Sequence, residues 1–342
     1  MVTLSDLAAG ALLLGLIMYA AFGGADFGGG IWTALASGPR KKEQRESLFQ
    51  AIGPVWETNH VWLIYVVVVL FMVFPRAFST LFTALLVPLV IALVGINFRG
   101  AAFAFRHFGR ETGRGVPFIA RSFEVSSMLT PLALGMAVAA TAGGELRLTA
   151  QGAATGPWDW ITPFTIVGGL IGLAICAYLA PIYMTVRTQG DLREDFRRRG
   201  MIAALVLGML TTLEIPVAFF DAPGFAARLL LPRTLVCISL AVLFGAATEF
   251  LLWRRKFFAA QFGAGATVAF TLLGFGVALY PDLLLGQLTI SEAAAPRETL
   301  IAFFTVLPFG VIILAPSLAF LYWTFRGSPD PESPPDEFRV RR

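Results

Sequence analysis

Nine apolar stretches divide this chain, at roughly 7–28, 53–74, 79–98, 122–142, 161–183, 201–220, 234–253, 260–282 and 299–323. A bilayer-crossing helix takes about 20 mainly apolar residues, because hydrocarbon leaves every backbone N–H and C=O to be satisfied within the segment. A chain built this way folds as an all-α polytopic membrane protein with about nine transmembrane helices. Composition agrees: 57% of residues are hydrophobic and 14% charged, against about 25% charged in an ordinary soluble domain.

The basic residues sort these stretches into an alternating order. Arg40, Lys41, Lys42 and Arg45 follow the first span, and Arg99, Arg106, Arg110, Arg114 and Arg121 follow the third. Arg187, Arg193 and Arg197 to Arg199 follow the fifth, and Arg254, Arg255 and Lys256 the seventh. The remaining gaps hold only Arg76, Arg147, Arg228, Arg233 and Arg297. Positive loops stay in the cytoplasm, so the N-terminus is expected outside and the C-terminus inside. The net charge of +4 belongs to these loops and gives no reason to expect a nucleic-acid partner.

Residues 1–326 read as one integral membrane domain, and 327–342 as a Pro-rich cytoplasmic tail that is disordered. The N-terminal apolar stretch lacks a basic start and a small-residue cleavage site, which makes it a retained span rather than a signal peptide. The longest outward loop, about 143–160, ends in Trp158-Asp159-Trp160, where both indoles suit the interfacial belt. Cys176 and Cys237 lie inside apolar runs, match no metal spacing and are not expected to pair.

Polar groups inside spans mark sites or proton and ion routes, since burying them in hydrocarbon is costly. Trp56-Glu57-Thr58-Asn59-His60-Val61-Trp62 opens the second apolar run, and Asp26 sits in Gly23-Gly24-Ala25-Asp26-Phe27-Gly28-Gly29-Gly30. These glycines permit close backbone approach or a local break in the helix. Asn97 and Arg99 end the third span, Glu124, Ser126 and Ser127 open the fourth, and Glu249 lies in the inner third of the seventh. Only Glu214, two residues before Pro216, falls near mid-membrane. The ionisable groups therefore gather in the inner half, as proton uptake from the cytoplasm requires.

Each of these residues also has a plain structural explanation. Asp26 suits the end of a helix, Arg99 a loop anchor, Glu214 a proline break, and Glu124 and Glu249 the membrane surface. Glu57 and His60 share a helix face, as an ion pair, a proton relay or one metal half-site; a metal bundle uses two such motifs, so no metal is assigned. Trp56 and Trp62 pack the polar group or contact a partner's planar cofactor. With only His60 and His107 in the chain, and His107 expected in a surface loop, the axial ligands of several haems must come from another subunit.

At residues 52–64 the chain resembles subunit II of the cytochrome bd-type quinol oxidases. The Gly-rich stretch around Asp26, the Trp56-Glu57-Thr58-Asn59 motif running into Val61-Trp62-Leu63-Ile64, and Asn97-Phe98-Arg99 carry the likeness in order and spacing. The resemblance implies two four-helix bundles plus one peripheral helix. It also implies a bacterial cytoplasmic-membrane heterodimer with a haem-bearing subunit I, with or without a small accessory subunit, among membrane lipids and quinone. That partner holds two b-type haems and one d-type haem, oxidises quinol and reduces oxygen to water. The present subunit supports it and supplies a cytoplasmic proton route, which the resemblance places at Asp26 and Glu57; His60 and Arg99 join them as candidates.

Three positions depart from the family pattern: Gly23 and Ala104 stand where acids are common, and His60 where Glu or Gln is common. Histidine ordinarily titrates nearest neutrality, so His60 is a candidate to replace a missing acid. Two other readings remain open, a proton-coupled secondary transporter using Asp26, Glu57 and Glu214, and a purely structural subunit of a divergent complex.

Overall fold

The computed structural model describes residues 2–111, 117–149, 152–153 and 156–324, and it is helical almost throughout. The helices are α1 (Leu4–Ala34), α2 (Lys41–Val73), α3 (Pro75–Ala84), α4 (Leu86–Glu111), α5 (Pro117–Gly143) and α6 (Pro163–Arg187). They continue with α7 (Gly190–Asp221), α8 (Pro223–Leu229), α9 (Pro232–Trp253), α10 (Phe257–Leu279), α11 (Ile290–Ala293) and α12 (Arg297–Thr324). Two antiparallel hairpins sit in connections, β1 (Leu148–Thr149) with β2 (Gly152–Ala153), and β3 (Asp282–Leu284) with β4 (Leu288–Thr289).

Among the described residues, seven helices are long and apolar enough to cross a membrane: α1, α5, α6, α7, α9, α10 and α12. The two remaining expected spans differ from the sequence reading. The second belongs to a 33-residue helix that starts at Lys41, so its polar group lies in mid-helix rather than in the first turns. The third, expected at 79–98, is split. Phe74 turns the chain by 117° into α3, which begins on Pro75, where a missing N–H does no harm. A new helix then starts after Leu85, since Pro88 in a continuous helix would collide with the carbonyl of Ala84. The apolar part of α4, Leu86–Ala102, spans only about 25 Å at 1.5 Å per residue.

The long helices pack in two groups. In the first, α1 lies against α2 and α5, and α4 against α5. In the second, α6 lies against α7 and α10, and α9 against α10. Contacts of α6 with α1 and α5 join the two groups. A core of Leu48, Tyr178, Leu179, Ile182, Phe196 and Leu252 fills the space around α6. Residues Ile301–Thr324 form a second unit, which is a single apolar helix.

Small residues set the approach of the backbones. A Cβ on Gly28 would sit 2.1 Å from the Cys176 carbonyl oxygen on α6. On the α5–α6 crossing, a Cβ on Gly172 would lie 2.7 Å from the Pro131 carbonyl oxygen, and one on Gly135 2.7 Å from that of Gly168. Small residues four apart let membrane helices touch backbone to backbone, and Gly168 and Gly172 have that spacing. The glycines of α1 therefore serve close approach; the helix does not break. Pro216 does not interrupt α7 either, so a proline break capped by Glu214 is not present.

Outside the spans, the second aromatic of the 158–160 pair departs from expectation. Trp158 is exposed, whereas Trp160 is buried and its indole N–H donates to the Pro157 carbonyl. Cys176 and Cys237 are both free and buried.

Candidate functional site

Asp26 and Arg99 meet in the first group of helices. Gly23 leaves room for Asn59 of α2 and Gly30 for Ser127 of α5, and side chains from α2 and α4 reach a carboxylate that is 1% exposed. Arg99, near the middle of α4 and 2% exposed, donates from Nη1 to Asp26 Oδ2 and from Nη2 to Oδ1, each at 2.6 Å. Nη2 also donates to the Asp26 carbonyl oxygen at 2.8 Å, and Nε to Ser127 Oγ at 3.0 Å. Asn59 Nδ2 donates to Asp26 Oδ2 at 3.2 Å.

The guanidinium lies over the Phe27 ring at 5.0 Å and the Phe123 ring at 4.9 Å. Arginine suits this place because its planar fork matches a carboxylate while its faces stack on aromatics. Taking two charges out of water is expensive, and only such complete hydrogen bonding offsets it. Ser127 fits because residue 30 is glycine: a Cβ there would fall 2.0 Å from Ser127 Oγ. The departure at Gly23 also acquires a geometric meaning. A Cβ at that position would lie 2.7 Å from Asn59 Oδ1, so a larger residue would compete with Asn59 for the space beside Asp26.

Beside the ion pair runs a cleft too narrow for a water molecule, lined by Tyr19, Phe27, Asn59, His60, Leu63, Ile96 and Arg99. His60 is half-buried on its wall. The Tyr19 hydroxyl, Asn59 Oδ1 and Trp62 Nε1 are buried with no hydrogen-bond partner. Trp62 packs against the buried cluster that holds Tyr19 and Phe27 and meets the Tyr65 ring edge-on at 5.9 Å. The side chains of Trp56 and Glu57 lie outside the described residues, as does that of His107, whose backbone is helical in α4 rather than a loop.

The other candidates are placed elsewhere. Glu124 does not reach for the surface: it is buried and paired at 3.1 Å with Arg45, whose Nε donates to the Thr33 carbonyl. Asn97 is exposed and donates to the Leu93 carbonyl of its own helix. Glu214 and Glu249 are on α7 and α9 in the second group, and neither hydrogen-bonds to the Asp26 cluster among the described residues. Sequence reasoning missed Tyr19, Arg45, Phe27 and Phe123. The signals were weak: an aromatic next to Asp26, another four residues before Ser127, and an arginine absorbed into the loop-charge pattern.

The bidentate pair, with Asn59 as a third donor, holds the Asp26 carboxylate in a fixed orientation. His60 lies on the wall of the cleft beside this pair. No group of three or more His, Cys, Asp or Glu side chains among the described residues is arranged to hold a metal ion.

The chain matches the family model described as cytochrome bd terminal oxidase subunit II over residues 4–325. It is 27% identical over 328 residues to the cytochrome bd ubiquinol oxidase subunit 2 of Bacillus subtilis (strain 168), covering 89% of this chain and 90% of that one. It is 25% identical over 226 residues to the cytochrome bd-I ubiquinol oxidase subunit 2 of Escherichia coli (strain K12), covering 64% and 58%. Its fold is similar to a chain of the bd oxidase from Geobacillus thermodenitrificans, with a TM-score of 0.79, 24% identity and coverage of 94% and 98%.

Proposed function

The chain belongs to the cytochrome bd terminal oxidase subunit II family, and from that premise we propose that it carries protons to the oxygen-reduction site of its complex. It is a subunit of a quinol oxidase, a multi-pass protein of a bacterial membrane. Its partner is subunit I. Membership in this family leaves the transporter reading without support.

In the proposed arrangement the N-terminus is outside, nine helices span the membrane as two four-helix bundles plus one peripheral helix, and residues 1–326 act as one membrane domain with a polar cytoplasmic tail. Protons enter from the cytoplasm. Glu57 and His60 carry them, while Asp26 and Arg99 form the fixed charged wall that positions Asn59 and orients the route. The observation that supports this reading is the convergence of Asn59, His60 and Arg99 on one narrow cleft, with Asp26 bonded to two of them beside it.

We place the haems, two b-type and one d-type, in the partner. The described residues here do not fit one: the cleft beside His60 is too narrow to admit even a water molecule, far from the open pocket that a planar cofactor needs. When bound in the partner, haem supplies the electron transfer and oxygen chemistry. This chain's residues position and move protons.

The test is oxygen consumption and proton uptake by the purified complex with Glu57→Ala or His60→Ala and haem content monitored. Slowed turnover with the haems retained is the expected result. Wild-type rates in both variants would mean a purely structural subunit.

A further inference from the structure

Where α1 hands over to α2, a turn through Ser37 and Gly38 faces the start of α7 across an open cavity of about 220 Å³. Arg40, Asp195, Arg198 and Arg199 are among its walls. Three guanidinium groups and one carboxylate line it, and Arg40 also pairs with the exposed Asp191 at 3.3 Å. Both oxygens of the lining carboxylate are occupied: Asp195 Oδ1 accepts from Arg40 Nη2 at 2.7 Å, and Oδ2 from Arg40 Nε at 2.8 Å and Gln44 Nε2 at 3.0 Å. The positive charge left over sits on Arg198 and Arg199.

Arg199 is held in place by neutral groups, with Asp195 acting on it through space only. Its Nη2 donates to Gln44 Oε1 at 2.8 Å, and its guanidinium lies over the Trp32 ring at 5.2 Å. Nη1 is buried with no hydrogen-bond partner. Arg198 is exposed, and its nearest carboxylate, Glu194 at 4.0 Å, is already engaged by Arg197. Buried or half-buried arginines normally find an anion, because desolvating an uncompensated charge is costly.

The surface beside the cavity is apolar. Ile202, Leu205 and Met209 follow Arg198 at helical spacings of four, seven and eleven residues, so all four share one face of α7. The three apolar side chains are each at least 60% exposed. A cationic cup at the head of an exposed apolar stripe, at the point where a helix becomes hydrophobic, has the chemistry of an anionic lipid: charge above, hydrocarbon below.

We propose that this is a binding site for an anionic phospholipid. Arg198 and Arg199 hold its phosphate at the mouth of the cavity, and an acyl chain lies along Ile202, Leu205 and Met209. Arginine's planar donors suit a phosphate, and the Arg40–Asp195–Gln44 network braces the cup. The site is separate from the cleft at Asp26 and does not depend on the proton route.

The test uses the two-subunit oxidase, delipidated in detergent and titrated with dioleoyl-phosphatidylglycerol. Native mass spectrometry counts the lipids retained. Wild type is expected to hold one such lipid more tightly than Arg198→Gln/Arg199→Gln, by about tenfold or more. Arg198→Gln alone removes an exposed side chain and is expected to give a partial loss with haem content and subunit stoichiometry unchanged, which guards against misfolding. Dioleoylglycerol, which lacks the phosphate, is expected not to be retained, and inorganic phosphate in excess is expected not to displace the lipid. Equal retention by wild type and a correctly assembled Arg198→Gln/Arg199→Gln variant overturns the proposal. So does equal retention of dioleoylglycerol, or displacement by inorganic phosphate, which would mark a free-anion site.

Discussion

Arg99 reaches across 73 residues of sequence to grip Asp26 with two hydrogen bonds of 2.6 Å, in a position where neither side chain meets solvent. A buried pair of this kind is sensitive to losing one partner and tolerant of losing both, because a lone charge keeps the whole desolvation penalty. Arg99→Met or Asp26→Leu alone should therefore lower stability by about 3–5 kcal/mol. The double variant should lose clearly less than the sum. Thermal unfolding midpoints of the purified oxidase measure all three, and an additive double variant would rule out the pair as a coupled unit.

Gly28 should resist substitution where Gly10 does not. The 2.1 Å separation between a Cβ at 28 and the Cys176 carbonyl oxygen forces α1 and α6 apart, at about 1–3 kcal/mol for an overpacked site. Nothing lies within 4 Å of a Cβ at Gly10, so alanine there should be neutral or stabilising through its better helix propensity. Detergent-challenge half-lives of Gly28→Ala and Gly10→Ala would separate the two cases.

Gly23→Ala should act through Asn59. Its new methyl group meets Asn59 Oδ1 at 2.7 Å and moves the amide off Asp26, so turnover should fall several-fold with haem content intact. Asn59→Ala removes the obstacle, so adding Gly23→Ala to it should have little further effect; a double-mutant cycle on oxygen consumption shows the coupling. Independent effects would mean that residue 23 works elsewhere.

Arg228 ties α8 to the β3–β4 hairpin. It donates to Asp282 Oδ2 and to the Leu279 carbonyl oxygen, both at 2.7 Å. Asp282 is largely buried, so Asp282→Ala should cost about 1–3 kcal/mol for the stranded donors. Limited proteolysis near residues 282–289 should accelerate in that variant.

The short helix α11 carries a small acid-sensitive cap. Thr289 donates to Glu292 from both its backbone N–H and its hydroxyl, and these bonds hold the carboxyl below the usual carboxylate range. A lowered folded-state pKa means that the contribution is complete above the ordinary carboxylate value, about 4.3, and is lost as pH falls through the depressed one. Hydrogen exchange of the 290–293 amides, corrected for intrinsic rates, should show protection at neutral pH that fades only in strong acid. Glu292→Gln should remove that pH dependence.

Much of the site was legible because the alphabet of a membrane span is narrow. Against long runs of Leu, Val and Phe, Asp26, Asn59, His60 and Arg99 stand out, and each lies in the cleft or in the ion pair beside it. Arg45 was not legible as a site residue, since one more arginine in a basic loop carries no extra signal. Gly168 and Gly172 were also missed, because glycines scattered through apolar sequence show nothing about which helix will cross them. The break at Phe74–Leu85 was hidden for the opposite reason: Pro75 and Pro88 were present, but apolar composition continues straight through the bend.

Hydrophobic content determined the helical membrane class and seven of the spans by itself, since transfer into hydrocarbon depends on composition and length alone. Which polar groups touch was decided only by tertiary structure. The grip of Arg99 on Asp26, the pairing of Arg45 with Glu124 and the room that Gly23 leaves for Asn59 depend on helix rotation and crossing distance. Those are set by packing between residues far apart in the chain, and no local pattern encodes them.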